Sequence, residues 1–260
     1  MKITTTFDVI IVGGGLAGLT SAIHLSTRKK RVLLIEKNEY PKHKVCGEYI
    51  SNEVLPYLNS LGINPINEGA KQITKVHIST TKSNLIKGEL PLGGFGMSRY
   101  FLDNLLVKKA HLNGVQILKD TVDSIHFKKD SFTITTKSSG VFQSKITIGA
   151  FGKRSSLDQK MKRKFIQKKS PYLAVKIHVK GVFPENLVAL HNFKGGYCGV
   201  SKVEDNAINV CYITEYRSFK KHKNITDFQE QVVFKNEHLR KIFKESTPVF
   251  EKPLTISQVS

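Results

Sequence analysis

Three glycines near the start of the chain have the spacing of a phosphate-binding turn. Gly13, Gly15 and Gly18 fit the pattern G-x-G-x-x-G in the stretch "FDVIIVGGGLAG". In such a turn the first glycine allows a tight bend, the second lets backbone approach a pyrophosphate, and the third lets helix and strand pack closely. The amides that start the following helix, those of Leu16 and Ala17 included, would face the phosphates. This spacing indicates a dinucleotide site.

An acidic residue follows the turn at the distance that such a site requires. Glu36 lies 18 residues beyond Gly18, at the end of the apolar stretch "RVLLIE", and Lys37 comes next. We expect the carboxylate to accept hydrogen bonds from ribose hydroxyls, with Lys37 beside the same nucleotide. Because a carboxylate would repel a 2′-phosphate, FAD or NAD is favoured over NADP. The alternative is a glycine-rich turn in some other α/β protein.

A cysteine stands soon after this unit, in "YPKHKVCGEYIS". Cys46 would need a lowered pKa to act as a nucleophile or redox thiol, and Lys42, His43 and Lys44 could supply the positive charge. The other interpretation is a small apolar residue that packs beside a turn at Gly47.

The surrounding pattern predicts an α/β fold with a parallel sheet. Residues 7–12 and 31–37 read as buried strands on either side of a helix, which makes a βαβ unit. A helix is predicted over 98–114, with Ser98 as its N-cap and Arg99 in its first turn. Strands follow at 115–120, 122–129 and 131–137, and the segment "KITIGAFGKRSS", which contains Gly152, closes this half of the chain.

The second half predicts a mostly antiparallel sheet. Four strand-like segments separated by turns begin near residue 170, and a hairpin is expected at 73–90. We expect an FAD- or NAD-binding region over 1–169, with an excursion around 65–97, and a substrate region over 170–260. One continuous helix is predicted over 224–245, with Thr226 and Gln229 as a capping box. A helix over 52–61 is predicted to be interrupted at Pro56.

Composition narrows the class of protein. The 260 residues carry a net charge of +20, and the densest basic stretch is "KMKRKFIQKK", residues 160–169. No nucleic-acid motif accompanies the charge, so an anionic membrane surface or a phosphorylated substrate is the favoured partner. Three scattered cysteines predict neither a disulfide framework nor a metal site. The few cysteines suit a reducing setting, and no apolar stretch reaches about 18 residues; we expect a cytoplasmic protein, with peripheral contact to the membrane as an option.

Several motifs together resemble the geranylgeranyl reductase family of FAD-dependent oxidoreductases, within the flavoproteins built like p-hydroxybenzoate hydroxylase. Besides the glycine turn, they are the P-x-x-x-x-C-G-E segment at Pro41–Glu48, the R-x-x-F-D-x-x-L helix matched from Arg99 to Leu106 with leucine in place of phenylalanine, and the A-x-G-x-x-S segment that contains Gly152. The resemblance covers nearly the whole chain. It implies FAD as the cofactor, with Cys46, Gly47, Arg99 and Gly152 at the flavin nucleotide.

The same resemblance implies the chemistry. Reduced FAD would deliver a hydride to a carbon–carbon double bond of a small hydrophobic, isoprenoid-like substrate, with NAD(P)H as a possible electron donor. Cys46 and Tyr197 are the candidate catalytic residues, Tyr197 as a pocket wall or proton donor. Phe151-Gly152 replaces the Asp-Gly of the hydroxylases, which counts against direct NAD(P)H binding there, and the absence of tryptophan argues against a halogenase.

Other interpretations stay open. One is an aromatic hydroxylase that uses a flavin hydroperoxide. Another is a silent, nucleotide-binding relative, because nothing after Thr247 matches the family's G-D-A-A-G segment. The substrate and the oligomeric state are not readable from the sequence.

Overall fold

The glycine turn and the acidic residue lie at one end of a parallel sheet. This computed structural model describes residues 5–153, 155–167 and 169–257. Strand β1 (Thr5–Val12), helix α1 (Leu16–Thr27) and strand β2 (Val32–Glu36) form the predicted βαβ unit. The six-stranded sheet has the order β6-β2-β1-β9-β8-β7. Its remaining strands are β6 (Gln116–Lys119), β7 (Val122–Lys128), β8 (Ser131–Thr136) and β9 (Val141–Gly149).

Burial on both faces explains why β1 is almost entirely apolar. Val9 and Ile11 pack with α1 and with helix α3 (Arg99–Leu112) on one face. Phe7, Ile10 and Val12 pack on the other face against residues of β7 and β8. Strands β6, β2, β1 and β9 are mutually parallel, whereas β7 and β8 pair antiparallel. The predicted α/β class with a parallel sheet is therefore confirmed.

The second sheet is mostly antiparallel, as predicted. It has nine strands in the order β14-β10-β13-β12-β11-β4-β5-β3, with β15 also paired to β10. Its strands are β3 (Tyr49–Ser51), β4 (Lys71–Ser79), β5 (Leu85–Gly96), β10 (Tyr172–Lys180), β11 (Leu187–Phe193), β12 (Gly196–Lys202), β13 (Ile208–Glu215), β14 (Thr247–Pro248) and β15 (Leu254–Ser257). The predicted hairpin is β4–β5, and it joins this sheet through the parallel pair β4–β11. The boundary near residue 169 stays a prediction.

Short helices cover one face of the second sheet. They are α5 (Tyr216–Phe219), α6 (Ile225–Gln231) and α7 (Glu237–Lys244); α2 (Leu55–Ser60) and α4 (Ser156–Lys160) lie elsewhere in the chain. Phe228 and Leu239 are buried there against Val175 and Tyr212. The opposite face of the sheet is left to line the cavity described below.

The predictions of a continuous helix over 224–245 and of its capping box were wrong. The single helix over 224–245 is broken, because the Asn236 side chain accepts hydrogen bonds from the amides of His238 and Leu239 and so starts a new helix. Asn224, rather than the capping box, caps α6 by accepting from the Asp227 amide. The predicted break near Pro56 is present: a 3-10 turn over Asn52–Val54 precedes α2, and Pro56 lies in the first turn of α2, where proline is tolerated because the amide has no helical partner.

No helix in the described part of the chain is long and apolar enough to cross a membrane.

Candidate active site

The three motif glycines differ in what surrounds them. Gly13 has φ +108°, and a Cβ there would lie 2.3 Å from the carbonyl oxygen of Ala150. A Cβ on Gly18 would lie 1.9 Å from the Gly13 oxygen. Gly13 thus lets the turn approach the segment that follows β9, and Gly18 lets α1 approach the turn. Among the described residues other than its chain neighbours, a Cβ on Gly15 would meet only the Arg99 guanidinium, at 4.0 Å, so this position leaves open space in which a ligand can approach the backbone.

The start of α1 offers amide donors at the same place. The N-cap residue is Gly15, which has no side chain to accept hydrogen bonds from these amides. The first turn of α1 also contains no acidic residue. The first amides of a helix have no partner within the helix, and the helix dipole favours an anion there. Leu16 and Ala17 lie in this first turn, which therefore suits a phosphate group.

Glu36 braces the glycine turn. Its Oε2 accepts from the Gly14 amide at 2.7 Å, and its Oε1 accepts from the backbone and side chain of Asn38 at 2.9 and 2.6 Å. The Tyr40 hydroxyl donates to the Gly14 carbonyl at 2.5 Å. Burial, with the charge of Glu36 next in importance, raises the pKa of Tyr40, so the phenol stays a donor. Binding of ribose by Glu36 stays a prediction.

A small cavity of about 70 Å³ lies beside the turn. Gly13, Glu36, Lys37 and Phe151 are among the residues that line it. Gly152 follows with φ +71° and is exposed. The structure thus brings Lys37 and the second glycine segment next to the first, as a shared nucleotide site requires.

Arg99 is held by a buried carboxylate. Asp103, one turn further along α3, accepts from the Arg99 Nε and Nη2 at 2.8 and 3.0 Å. Lys44 donates to the same carboxylate at 2.6 Å. The ion pair between Arg99 and Asp103 is largely buried, and it fixes the guanidinium beside Gly15. The guanidinium also interacts with the Cys46 side chain.

Side chains of the second sheet donate hydrogen bonds to backbone carbonyls of the loop that carries Cys46. The Asn209 amide group of β13 donates to the carbonyls of Gly47 and Cys46 at 2.7 and 3.3 Å. The Lys176 ammonium of β10 donates to the Lys44 carbonyl at 3.2 Å. Side chains from two neighbouring strands thus hold this loop between the two sheets.

Glu48 completes the attachment from the loop side. Its carboxylate accepts from the Arg99 amide at 2.8 Å, from His178 Nε2 at 2.6 Å and from the Lys176 ammonium. Glu48 has φ +54° and is buried, as is Lys176. Burial alone would raise the pKa of Glu48, but the His178 hydrogen bond and the Lys176 charge outweigh it, so the pKa is lowered. The edge of the His178 ring meets His43 at 5.2 Å between centroids.

An apolar cavity of about 580 Å³ lies between this loop and the open face of the second sheet. Both candidate catalytic residues, Cys46 and Tyr197, line it, together with Ala174, Leu190 and Cys211. Burial raises the pKa of Cys211 to about 12, so that thiol stays protonated at neutral pH. Tyr197 is about half exposed at the cavity's edge. The roles of Cys46 and Tyr197 stay predictions.

Sequence reasoning missed the residues that hold the Cys46 loop. Lys176, His178 and Asn209 lie on strands far along the chain, and His178 was given no role. A signal was present in "AVKIHV", where polar residues recur at every second position of an otherwise apolar strand. Tyr40 carried no comparable signal. No group of three or more potential metal ligands is found within the described residues.

Comparison with known proteins agrees with this geometry. A profile of the family described as FAD dependent oxidoreductase matches residues 8–45, which hold the glycine turn and Glu36. This confirms the resemblance to FAD-dependent oxidoreductases. Digeranylgeranylglycerophospholipid reductase 1 of Methanothermobacter thermautotrophicus is 30% identical over 162 residues, 58% of this chain and 40% of that protein. An FAD-dependent monooxygenase of Aspergillus versicolor is 32% identical over 175 residues, 61% of this chain and 35% of that protein.

The chain spans less than half the length of these two curated relatives. Among solved structures, the flavin-dependent brominase Bmp2 matches with a TM-score of 0.79 over 98% of this chain and 68% of that one, at 18% identity. At this level of identity, the match shows that the two chains share a fold. The prediction against halogenase activity is not tested by it.

Proposed function

We propose that the chain acts as an FAD-dependent oxidoreductase that reduces carbon–carbon double bonds of a hydrophobic, isoprenoid-like substrate. One observation carries the proposal: the loop whose Cys46 lines the apolar cavity is also hydrogen-bonded, through Lys44 and Glu48, to the Arg99–Asp103 pair beside the glycine turn. The nucleotide site and the cavity therefore meet at one loop. The likeness to a digeranylgeranylglycerophospholipid reductase supports a reductase of this kind.

The described residues fit FAD. The amides that start α1 and the open backbone at Gly15 would take the pyrophosphate, with Arg99 beside it. Glu36 would take the ribose by the lone pairs that Gly14 and Asn38 leave unused. When bound, FAD supplies hydride chemistry, while the protein orients and desolvates the reacting groups.

The residues that line the cavity would enclose the substrate and supply a proton to it. Apolar residues such as Ala174, Val188 and Leu190 line it and would exclude water from a hydrocarbon substrate. Tyr197 also lines the cavity, and its hydroxyl would supply a proton to the substrate. Cys46 would form the wall nearest the cofactor, kept in place by Asn209 and Glu48. We assign the activity to the cytoplasm, with NAD(P)H as electron donor.

An aromatic hydroxylase is the second candidate. The monooxygenase of Aspergillus versicolor supports it, and an apolar cavity of about 580 Å³ would accept an aromatic ring as readily as an isoprenoid chain.

The absorption spectrum of the purified chain, before and after addition of FAD, tests the proposal first. We expect a structured flavin band that bleaches with NAD(P)H in the absence of oxygen and recovers when a geranylgeranylated lipid is added. Recovery only with oxygen and an aromatic acceptor, with a hydroxylated product, would favour the hydroxylase. No bound flavin at excess FAD would overturn both and favour a silent relative.

A further inference from the structure

A basic segment with exposed apolar side chains adjoins the cavity. Residues 159–170, named here the basic segment, contain six lysines and arginines and no acidic residue. Met161 and Phe165 within it are 40% and 50% exposed. Lys164 and Lys169 are exposed as well. Cationic and apolar side chains thus alternate over one short stretch.

Among the described residues, two ion pairs use part of this charge. Lys160 pairs with Asp123 at 2.6 Å, and Arg163 pairs with Asp158 at 3.2 Å. Both basic side chains of these pairs are still 49% exposed. The charge of the basic segment therefore reaches solvent, where an anionic surface can approach it.

The position of the segment connects it to the cavity. Lys153 before it and Ser170 at its end both line the cavity. Tyr172, the next lining residue along the chain, is 47% exposed. A surface that met the basic segment would therefore lie at an entrance to the cavity.

We propose that the basic segment docks the protein on an anionic lipid bilayer, with Phe165 and Met161 in the interface and the cavity entrance facing the lipid. Basic residues are attracted to anionic headgroups, and exposed apolar side chains gain by entering the interface. A nucleic acid would use the same charge but would leave Met161 and Phe165 without a partner. Only the purpose of docking, uptake of a hydrophobic substrate, rests on the proposed function.

Vesicle co-sedimentation of the full chain tests the docking. The probes are vesicles of phosphatidylcholine alone and of phosphatidylcholine with phosphatidylglycerol. We expect binding to the anionic vesicles only. Each basic residue near an anionic surface strengthens binding about fivefold, so Lys164→Gln with Lys169→Gln should weaken it about 25-fold. Phe165→Ser should weaken it without changing its salt dependence, because salt does not screen apolar contacts.

A matched control separates a local surface from the overall charge. Arg28 and Lys30 are exposed between α1 and β2. They lie at the amino-terminal end of the parallel strands, whereas Gly13 lies at the carboxyl-terminal end. Arg28→Gln with Lys30→Gln removes the same charge and should leave vesicle binding nearly unchanged. Equal weakening by both pairs would overturn the proposal. So would absent vesicle binding together with oligonucleotide binding that needs Lys164 and Lys169. Flavin titration of each variant, measured separately, reports on the proposed function.

Discussion

At the level of single residues, Gly13 and Gly18 lie where no side chain fits, whereas Gly15 faces open space. Gly15→Ala adds a Cβ whose nearest contact among the described residues, chain neighbours aside, is the Arg99 guanidinium at 4.0 Å. We expect an unchanged melting temperature and an FAD affinity lowered by tenfold or more, on the order of one lost charge-assisted hydrogen bond. Flavin fluorescence titration measures the affinity.

The neighbouring glycines provide the control for this change. Gly18→Ala would put a Cβ within 1.9 Å of the Gly13 oxygen and should destabilise the fold itself. If Gly15→Ala lowered the melting temperature as much as Gly18→Ala, or left FAD affinity intact, the open position would not be a ligand site.

Glu48 is the residue whose loss should cost the most stability. Glu48→Gln leaves the fully buried Lys176 without its carboxylate, and breaking a buried pair costs about 3–5 kcal/mol. Combining it with Lys176→Met should cost less than the sum of the two single changes. Urea unfolding measures this. Glu185→Gln, at a carboxylate that is 62% exposed and pairs loosely with Lys71 and Lys202, should cost under about 1 kcal/mol; comparable losses at both sites would contradict the argument.

The sequence predicted the site residues that act on near neighbours in the chain and missed those that act on distant ones. The turn glycines and Glu36 act within one βαβ unit, where spacing alone determines proximity. Lys176 and His178 reach Glu48 across 128 and 130 residues, and Asn209 reaches Gly47 across 162. Those contacts depend on strand order and register in the second sheet, which the local pattern does not encode.

At the level of elements, α7 is fastened to strands β4 and β11 by a polar cluster. His191 on β11 shares a 2.8 Å hydrogen bond with Ser79 on β4, and Asn236, the cap of α7, donates to the same hydroxyl at 2.8 Å. The His191 ring stacks on His238 of α7 at 5.1 Å. This cluster explains where the predicted long helix breaks, because Asn236 is drawn into contacts that a helix interior could not provide.

The same cluster predicts a pH dependence of stability. Burial, and then the charge of His238, lowers the pKa of His191 to about 4. Between its ordinary pKa of 6.5 and about 4 the unfolded chain binds the proton and the folded chain does not. The free energy of unfolding should therefore fall by about 3 kcal/mol as pH drops through this window. Above pH 6.5, where His191 is neutral in both states, its titration should leave the free energy of unfolding unchanged.

Urea unfolding at several pH values measures the slope. His191→Gln should reduce it, whereas His126→Gln, at an exposed position, should leave it unchanged. An undiminished slope in His191→Gln would mean that other groups carry the acid sensitivity.

The elements themselves were largely foreseen, for local reasons. The apolar period of α3 and the Ser98 cap are readable within a few residues, and Ser98 does accept from the Phe101 amide. The hairpin β4–β5 was foreseen as a hairpin. Its place in the second sheet was not, because its partner β11 lies more than one hundred residues further on.

For the whole molecule, the cavity makes substrate binding separable from flavin binding. Ala174 lies on the cavity wall, so Ala174→Phe should fill part of it, raise the KM for a hydrophobic substrate at least about tenfold and leave the flavin spectrum unchanged. Val182→Phe adds the same ring at a position that is 96% exposed and serves as control. An unchanged KM in Ala174→Phe would place the substrate elsewhere.

The parallel pair between β4 and β11 also bears on how the chain must emerge from the ribosome. Lys75 pairs with Leu187 in this sheet, so β4 is synthesised long before its neighbour exists. At about 5–20 residues per second, this edge stays open for roughly 5–20 seconds. An unpaired strand edge is a template for pairing with another chain. Synthesis of this protein therefore includes an interval in which the β4–β5 hairpin needs protection from its own copies.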